Sequence, residues 1–154
     1  MKNISVLLLL LLSACFFATA QEPSSLKKFP IDNRLSYQSV RTMAQDSDGF
    51  MWFGSQEGLH RYDGYQFLSF HHDSNDKNSL SSDTISALLI DSSQQIWVGT
   101  RGGGLNLFQQ SSQNFQQITS KSDLLSLSDD NVNTLFEDSV GNLWIGTENG
   151  LNIL

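Results

Sequence analysis

The sequence predicts an all-β fold, made of β-propeller blades of four antiparallel strands; about two and a half blades are present, so the propeller is incomplete. Three observations carry this. A five-residue stretch recurs as Met51-Trp52-Phe53-Gly54-Ser55, Ile96-Trp97-Val98-Gly99-Thr100 and Leu143-Trp144-Ile145-Gly146-Thr147, and it holds every tryptophan of the chain. An aspartate precedes each tryptophan by six positions (Asp46, Asp91, Asp138), and a Gly-Leu pair follows closely (Gly58-Leu59, Gly104-Leu105, Gly150-Leu151). Between these anchors, short apolar runs alternate with turn residues at strand length.

Within the first repeat, Val40 to Gln45 reads as a strand and Asp46-Ser47-Asp48-Gly49 as a tight turn. Phe50 to Ser55 and Leu59 to Tyr62 are the next strands. Asp63-Gly64 then signals a two-residue hairpin into a fourth strand, Tyr65 to Phe70. The second repeat follows the same plan, with strands at Thr84 to Ile90, Ile96 to Thr100, Leu105 to Phe108 and Asn114 to Ile118. Its first turn, Asp91 to Gln95, lacks the glycine of the other copies, while Arg101-Gly102-Gly103-Gly104 is one residue longer than the equivalent turns. The third repeat supplies Asn131 to Glu137, the Trp144 strand and a start at Leu151 to Leu154. These readings divide the chain into a signal peptide (1–20), a lead-in (21–36), blade 1 (37–80), blade 2 (81–127) and a partial blade 3 (128–154).

Tryptophan and glycine recur for a packing reason. A blade cannot bury its own faces and stacks on its neighbours. An indole hidden between sheets removes some 150–250 Å² from water, roughly 4–6 kcal/mol as an upper figure. A glycine two positions later lies on the same strand face and leaves room for the facing sheet or the indole. Trp52, Gly54, Trp97, Gly99, Trp144 and Gly146 are therefore expected to be structural.

The N-terminus carries an export pattern. Lys2 precedes an aliphatic run, Ile4 to Leu12, and Ala18-Thr19-Ala20 offers a cleavage site before Gln21. Leu12-Ser13-Ala14-Cys15 also fits a lipoprotein signal, though Phe16-Phe17 continue the apolar run beyond the cysteine. Cleavage and lipidation both stay open, with cleavage favoured; either gives a periplasmic or extracytoplasmic location. Cys15 is the one cysteine of the chain, which excludes a disulfide framework or thiolate metal site in the repeats. A net charge of −7 repels phosphate backbones, and no nucleic-acid partner is expected.

No catalytic constellation, cofactor motif or metal site is read from the residues. His71-His72-Asp73 is a solvated loop, Asp46 to Gly49 a turn without the further ligands of a calcium loop, and Gly102-Gly103-Gly104 a blade corner without a phosphate-loop lysine. None of the three histidines is read as occupying an equivalent repeat position, as a propeller lyase would require. Glu57, Arg101 and Glu148 are read as occupying corresponding places in the turns after the tryptophan strands and are the candidate ligand-binding residues on one rim.

Residues Asp138 to Asn152, with Trp-Ile-Gly-Thr-x-x-Gly-Leu-Asn preceded by Asp-Ser-x-Gly-Asn-Leu, closely resemble the two-component regulator propeller repeat. Asp46 to Tyr62 and Asp91 to Leu107 follow the same pattern with substitutions at Phe53 and Ser55 and at the lost turn glycine. The resemblance implies the periplasmic sensor region of a membrane-anchored, dimeric histidine kinase or diguanylate cyclase, with an oligosaccharide or other small ligand. It also implies many more blades and an output module, so the chain reads as an N-terminal fragment. A propeller enzyme such as a lyase, and a scaffold without ligand, are the other readings.

Overall fold

The computed structural model describes residues 39–122 and 125–154, all within the unit that spans Asp32–Leu154. The signal peptide, Cys15 and the lead-in lie outside the described residues. The described elements are eleven strands: β1 Thr42–Gln45, β2 Met51–Gly54, β3 Leu59–Tyr62, β4 Phe67–Phe70, β5 Ile85–Ile90, β6 Ile96–Thr100, β7 Leu105–Gln109, β8 Asn114–Ile118, β9 Val132–Glu137, β10 Leu143–Thr147 and β11 Gly150–Ile153. They form two four-stranded antiparallel meanders, β1-β2-β3-β4 and β5-β6-β7-β8, and a three-stranded one, β9-β10-β11. The sheets stack through their leading strands, with β5 against β1 and β9 against β5. Among the described residues the arrangement is open, not a closed ring. This is the expected propeller architecture.

Each sheet has two unlike faces. One carries Trp52, Gly54 and Leu59 in the first sheet and Trp97, Gly99 and Leu105 in the second; we call it the forward face. The other carries the alternate residues, such as Ile96 and Val98, and packs backward. The seam between the first two sheets is an aromatic cluster. The Trp52 ring lies 5.9 Å from Phe70 and 5.1 Å from Phe108, and Phe108 lies 5.3 Å from Phe115. Ile85, Ile96 and Val98 complete that core. The second seam joins Trp97, Leu105 and Ile118 to Val132, Leu143 and Ile145. Backbone bonds cross both seams: Ile85 N–H donates to Ser55 O at 2.8 Å, and Gly104 N–H to Asp130 O at 2.8 Å.

One turn differs from expectation. Asp63-Gly64 does not close a two-residue hairpin, because Tyr62 pairs with Phe67 and leaves Asp63 to Gln66 as the loop. The Asp63 carboxylate accepts from Tyr65 N and Gln66 N, both at 2.8 Å, which draws Tyr65 into the turn and leaves it 96% exposed. The first turn of the second repeat keeps the shape of the others despite its missing glycine. Gln94 adopts φ 65° where Gly49 and Gly141 have 87° and 90°. A side chain at that conformation is strained by roughly 1–2 kcal/mol.

Candidate functional site

The repeated tryptophan strand is a packing seam. Trp52 is 1% and Trp97 5% exposed, so neither is a sugar platform. Trp144 is only partly buried because the forward face of its own sheet is uncovered. The glycines serve the facing sheet. A Cβ on Gly54 would stand 2.5 Å from Ile85 Cγ2, and one on Gly99 would stand 2.6 Å from Val132 Cγ1.

The six-residue spacing from aspartate to tryptophan has a chemical cause that the residues alone do not reveal. One carboxylate oxygen accepts the indole N–H, at 2.7 Å for Asp46–Trp52, 2.8 Å for Asp91–Trp97 and 2.9 Å for Asp138–Trp144. The other oxygen accepts two backbone N–H groups of the intervening turn, as in Asp91 with Ser93 (2.9 Å) and Gln95 (2.8 Å). A single side chain thus shapes the β1–β2-type turn and orients the indole. The Trp144 indole, then the Asn142 amide, holds the Asp138 carboxyl well below the usual carboxylate range.

A second repeated cluster is not among the sequence-predicted sites. Asn106 Nδ2 donates to Ser81 Oγ at 2.7 Å, Asn106 Oδ1 accepts Ser81 N–H at 3.0 Å, and Thr100 Oγ1 donates to Gly104 O at 2.8 Å. The third sheet repeats it with Asn152, Ser128 and Thr147: Asn152 Nδ2 to Ser128 Oγ at 2.9 Å, Ser128 N to Asn152 Oδ1 at 3.0 Å and Thr147 Oγ1 to Gly150 O at 2.9 Å. In the first sheet His60 stands where the others have asparagine. It lies 3.3 Å through Nε2 from Ser55 Oγ and 2.8 Å through Nδ1 from Ser69 Oγ. His60 therefore does occupy a repeat position; the extra residue in the Arg101 to Gly104 turn hides the alignment with Asn106. It is 2% exposed, and burial, followed by the neighbouring His71, pushes its pKa down to about 4. The signal available in the sequence was the Leu-Ser pair sixteen residues before each tryptophan: Leu35-Ser36, Leu80-Ser81 and Leu127-Ser128.

Glu57, Arg101 and Glu148 all lie exposed in the turns that follow β2, β6 and β10. These turns share one end of the stack with the inter-sheet connectors. Arg101 N–H donates to Thr84 O at 3.0 Å, Glu148 N–H to Asn131 O at 2.9 Å and Gly58 N–H to Asp83 O at 2.8 Å. Counted from the tryptophan, Arg101 and Glu148 hold the same position, whereas Glu57 stands one residue later and Gln56 is their counterpart. The rim at this end is accordingly polar and of mixed charge.

His71, His72 and Asp73 turn to different partners. His71 Nδ1 lies 3.7 Å from Asp83 Oδ1, His72 Nδ1 donates to Leu80 O at 2.7 Å, and Asp73 Oδ1 accepts Asn75 N–H at 2.9 Å. Among the described residues, no group of three metal-ligating side chains converges. An apolar cavity of about 220 Å³ opens between the second and third sheets, lined by Leu105, Ile118, Leu127, Ile145 and Ile153 with Asn152.

Comparison with known proteins agrees with this geometry. The two-component regulator propeller model matches residues 34–57, 79–102 and 126–149, each match starting just before a Leu-Ser pair and ending in a rim turn. Histidine kinase P4 of Formosa agariphila is 34% identical over 84 residues, covering 53% of this chain and 6% of that protein. The extracellular domain of the hybrid two-component system BT3049 of B. thetaiotaomicron aligns with a TM-score of 0.67 and 28% identity over 75% of this chain and 17% of its own. PorZ, a surface component of the type-IX secretion system of Porphyromonas gingivalis, shares the fold (TM-score 0.58, 23% identity, 73% of this chain and 17% of its own). This chain thus spans a small part of each. With the repeat matched three times in register, each copy built on the same aspartate–indole bond, the chain belongs to the two-component regulator propeller repeat family.

Proposed function

We propose that this chain is part of the extracytoplasmic, ligand-sensing propeller of a membrane-anchored two-component signalling protein. The carrying observation is the threefold repeat match, together with the likeness to an extracellular domain of a hybrid two-component system. The ligand is a small, hydroxyl-rich molecule such as an oligosaccharide, held at the rim where Arg101, Glu148 and Glu57 project. Arg101 and Glu148 supply a donor and an acceptor at equivalent places on adjacent sheets, and the exposed Gly102 beside Arg101 leaves the backbone open to a ligand. Export follows from the leader, and output from a kinase or cyclase module elsewhere in the parent protein.

A lyase activity has no comparable support. His60, the histidine at a repeat position, is buried, flanked by two serine hydroxyls, and replaced by asparagine in the other sheets. The test is made in the parent protein carrying the Arg101→Ala or Glu148→Gln change. Loss of ligand-dependent kinase output with normal protein levels supports the rim site, and unchanged signalling in both removes it. A coding sequence that continues past codon 154 without any membrane helix or output module removes the sensor reading.

A further inference from the structure

The rim turn of the second sheet differs from its neighbours in what it leaves unpaired. Arg101-Gly102-Gly103-Gly104 carries one residue more than the equivalent turns. Both of its ends are held: Arg101 N–H donates to Thr84 O at 3.0 Å and Gly104 N–H to Asp130 O at 2.8 Å. Its middle is fixed by packing, since a Cβ on Gly103 would stand 2.5 Å from Ser81 Oγ and 2.8 Å from the Ser81 carbonyl carbon. Gly102, at φ +76°, is exposed, and a Cβ there would meet nothing within 4 Å.

Between these anchors the N–H groups of Gly102 and Gly103 meet no acceptor among the described residues. In the first sheet the amide five positions past the tryptophan, that of Glu57, donates to Ser55 Oγ at 3.0 Å. Thr100 Oγ1, the counterpart of that hydroxyl, contacts Gly104 O and Ser81 Oγ but takes up neither amide. Gly103 is itself buried, and a buried N–H without an acceptor is rare. Successive free N–H groups at a turn with a left-handed residue make a concavity that attracts anions.

Arg101 projects beside this concavity, exposed and without an ion pair among the described residues. The aspartates at the same end are engaged in their own connectors. Asp83 accepts His72 N–H at 2.7 Å, Asp130 accepts Ser120 N–H at 2.6 Å, and Asp129 accepts Asn131 N–H at 2.6 Å.

We infer that Arg101-Gly102-Gly103 is an anion subsite that takes one carboxylate or sulfate group of an acidic sugar. The guanidinium and the two free N–H groups share the oxygens of that group, a set of charge-assisted bonds on a turn already held in place. This rests on the rim reading above and adds the ligand's charge to it: Glu148 serves hydroxyls, and the second sheet's turn serves the acid. A neutral sugar leaves the buried Gly103 N–H unpaired and binds more weakly.

The test titrates the full chain, labelled with nitrogen-15, with glucuronate, glucose 6-sulfate and glucose at one ionic strength. The Gly102 and Gly103 amide signals are expected to shift saturably with an acidic probe, and glucose to bind at least about tenfold more weakly. Whichever acidic probe binds tighter identifies the group as carboxylate or sulfate. Arg101→Gln, at an exposed position, lowers the acidic probe's affinity at least about tenfold and leaves the glucose response unchanged. Added salt weakens the acidic probes alone. Equal binding of glucose and the acids at these amides overturns the anion subsite and leaves the rim reading standing. Acidic binding unmoved by Arg101→Gln, or shifts confined to other amides, also overturns it. No movement of any rim amide with all three probes removes the subsite, and the rim reading is then decided by the signalling test above.

Discussion

Replacing Gly99 by alanine tests the seam most directly, because Gly146 provides a control inside the same chain. A Cβ at Gly99 would lie 2.6 Å from Val132 Cγ1, 3.1 Å from Val132 Cβ and 3.2 Å from Ala87 Cβ. Val132 is fully buried and β-branched, so its χ1 has little freedom to swing away, and the two sheets must separate instead. Overpacking of this kind costs about 1–3 kcal/mol. The alanine returns about 0.5–1 kcal/mol through reduced backbone entropy of the unfolded chain. Gly99→Ala is thus expected to lose about 1–2 kcal/mol net. At Gly146 the added Cβ meets Thr134 Cγ2, an exposed side chain that rotates aside, and no atom of another sheet. Gly146→Ala is expected to stay within about 0.5 kcal/mol of the parent. Urea unfolding followed by tryptophan fluorescence, at a concentration where the chain is monomeric, measures both. Adding Val132→Ala to Gly99→Ala costs less than the two single losses summed, by about 1 kcal/mol, because the clash has been removed. Equal stability losses at the two glycines, with additive behaviour at Val132, would refute the seam reasoning.

Three further outcomes follow from the same geometry. Asp91→Asn keeps an acceptor for the turn but sets an amide N–H against the Trp97 indole, so it is expected to cost about 1–3 kcal/mol, and Asp91→Ala more; an Asp91→Asn midpoint indistinguishable from the parent by calorimetry contradicts the dual role. His60 is held neutral in the folded chain, with its pKa down at about 4 from 6.5, so the unfolded chain binds the proton first. Its contribution is fully present above pH 6.5 and is lost as the pH falls through 4; His60→Asn, the residue of the other sheets, should flatten stability in that window when unfolding is followed across it. Gln94→Gly relieves the left-handed strain at φ 65° but gives up the 3.0 Å bond that Gln94 Oε1 accepts from Ser47 N–H. Because that bond is solvent-exposed, relief wins, and the thermal midpoint should rise by a few degrees, about 1 kcal/mol; a fall would show that the inter-sheet bond matters more.

Much of the fold was legible because the repeat writes its rules locally. Strand alternation, the turn chemistry of Asp46, Asp91 and Asp138, and the Trp-x-Gly spacing each depend on residues a few positions apart, and these set the blades and their order. Tyr65 misled because a two-residue hairpin and a wider Asp63-capped turn share the same Asp-Gly signal, and only the Tyr62–Phe67 pairing distinguishes them. The candidate rim is legible as a set of turns, and a count of four residues from each tryptophan puts Gln56, not Glu57, in register with Arg101 and Glu148.

By itself, then, the sequence determined which residues form strands, which face of each strand is apolar and that the units repeat. Tertiary structure decided what each repeated spacing is for. The aspartate reaches its indole because a tight turn folds six residues back on themselves, and the glycine is needed because a valine or isoleucine arrives from the next sheet. His60 proved to be a buried polar plug because Ser55 and Ser69 close on it. Of these partners only the valine or isoleucine comes from another sheet and exists once the sheets have stacked; the aspartate and the serines meet theirs within one sheet, once its turns have closed and its strands have paired.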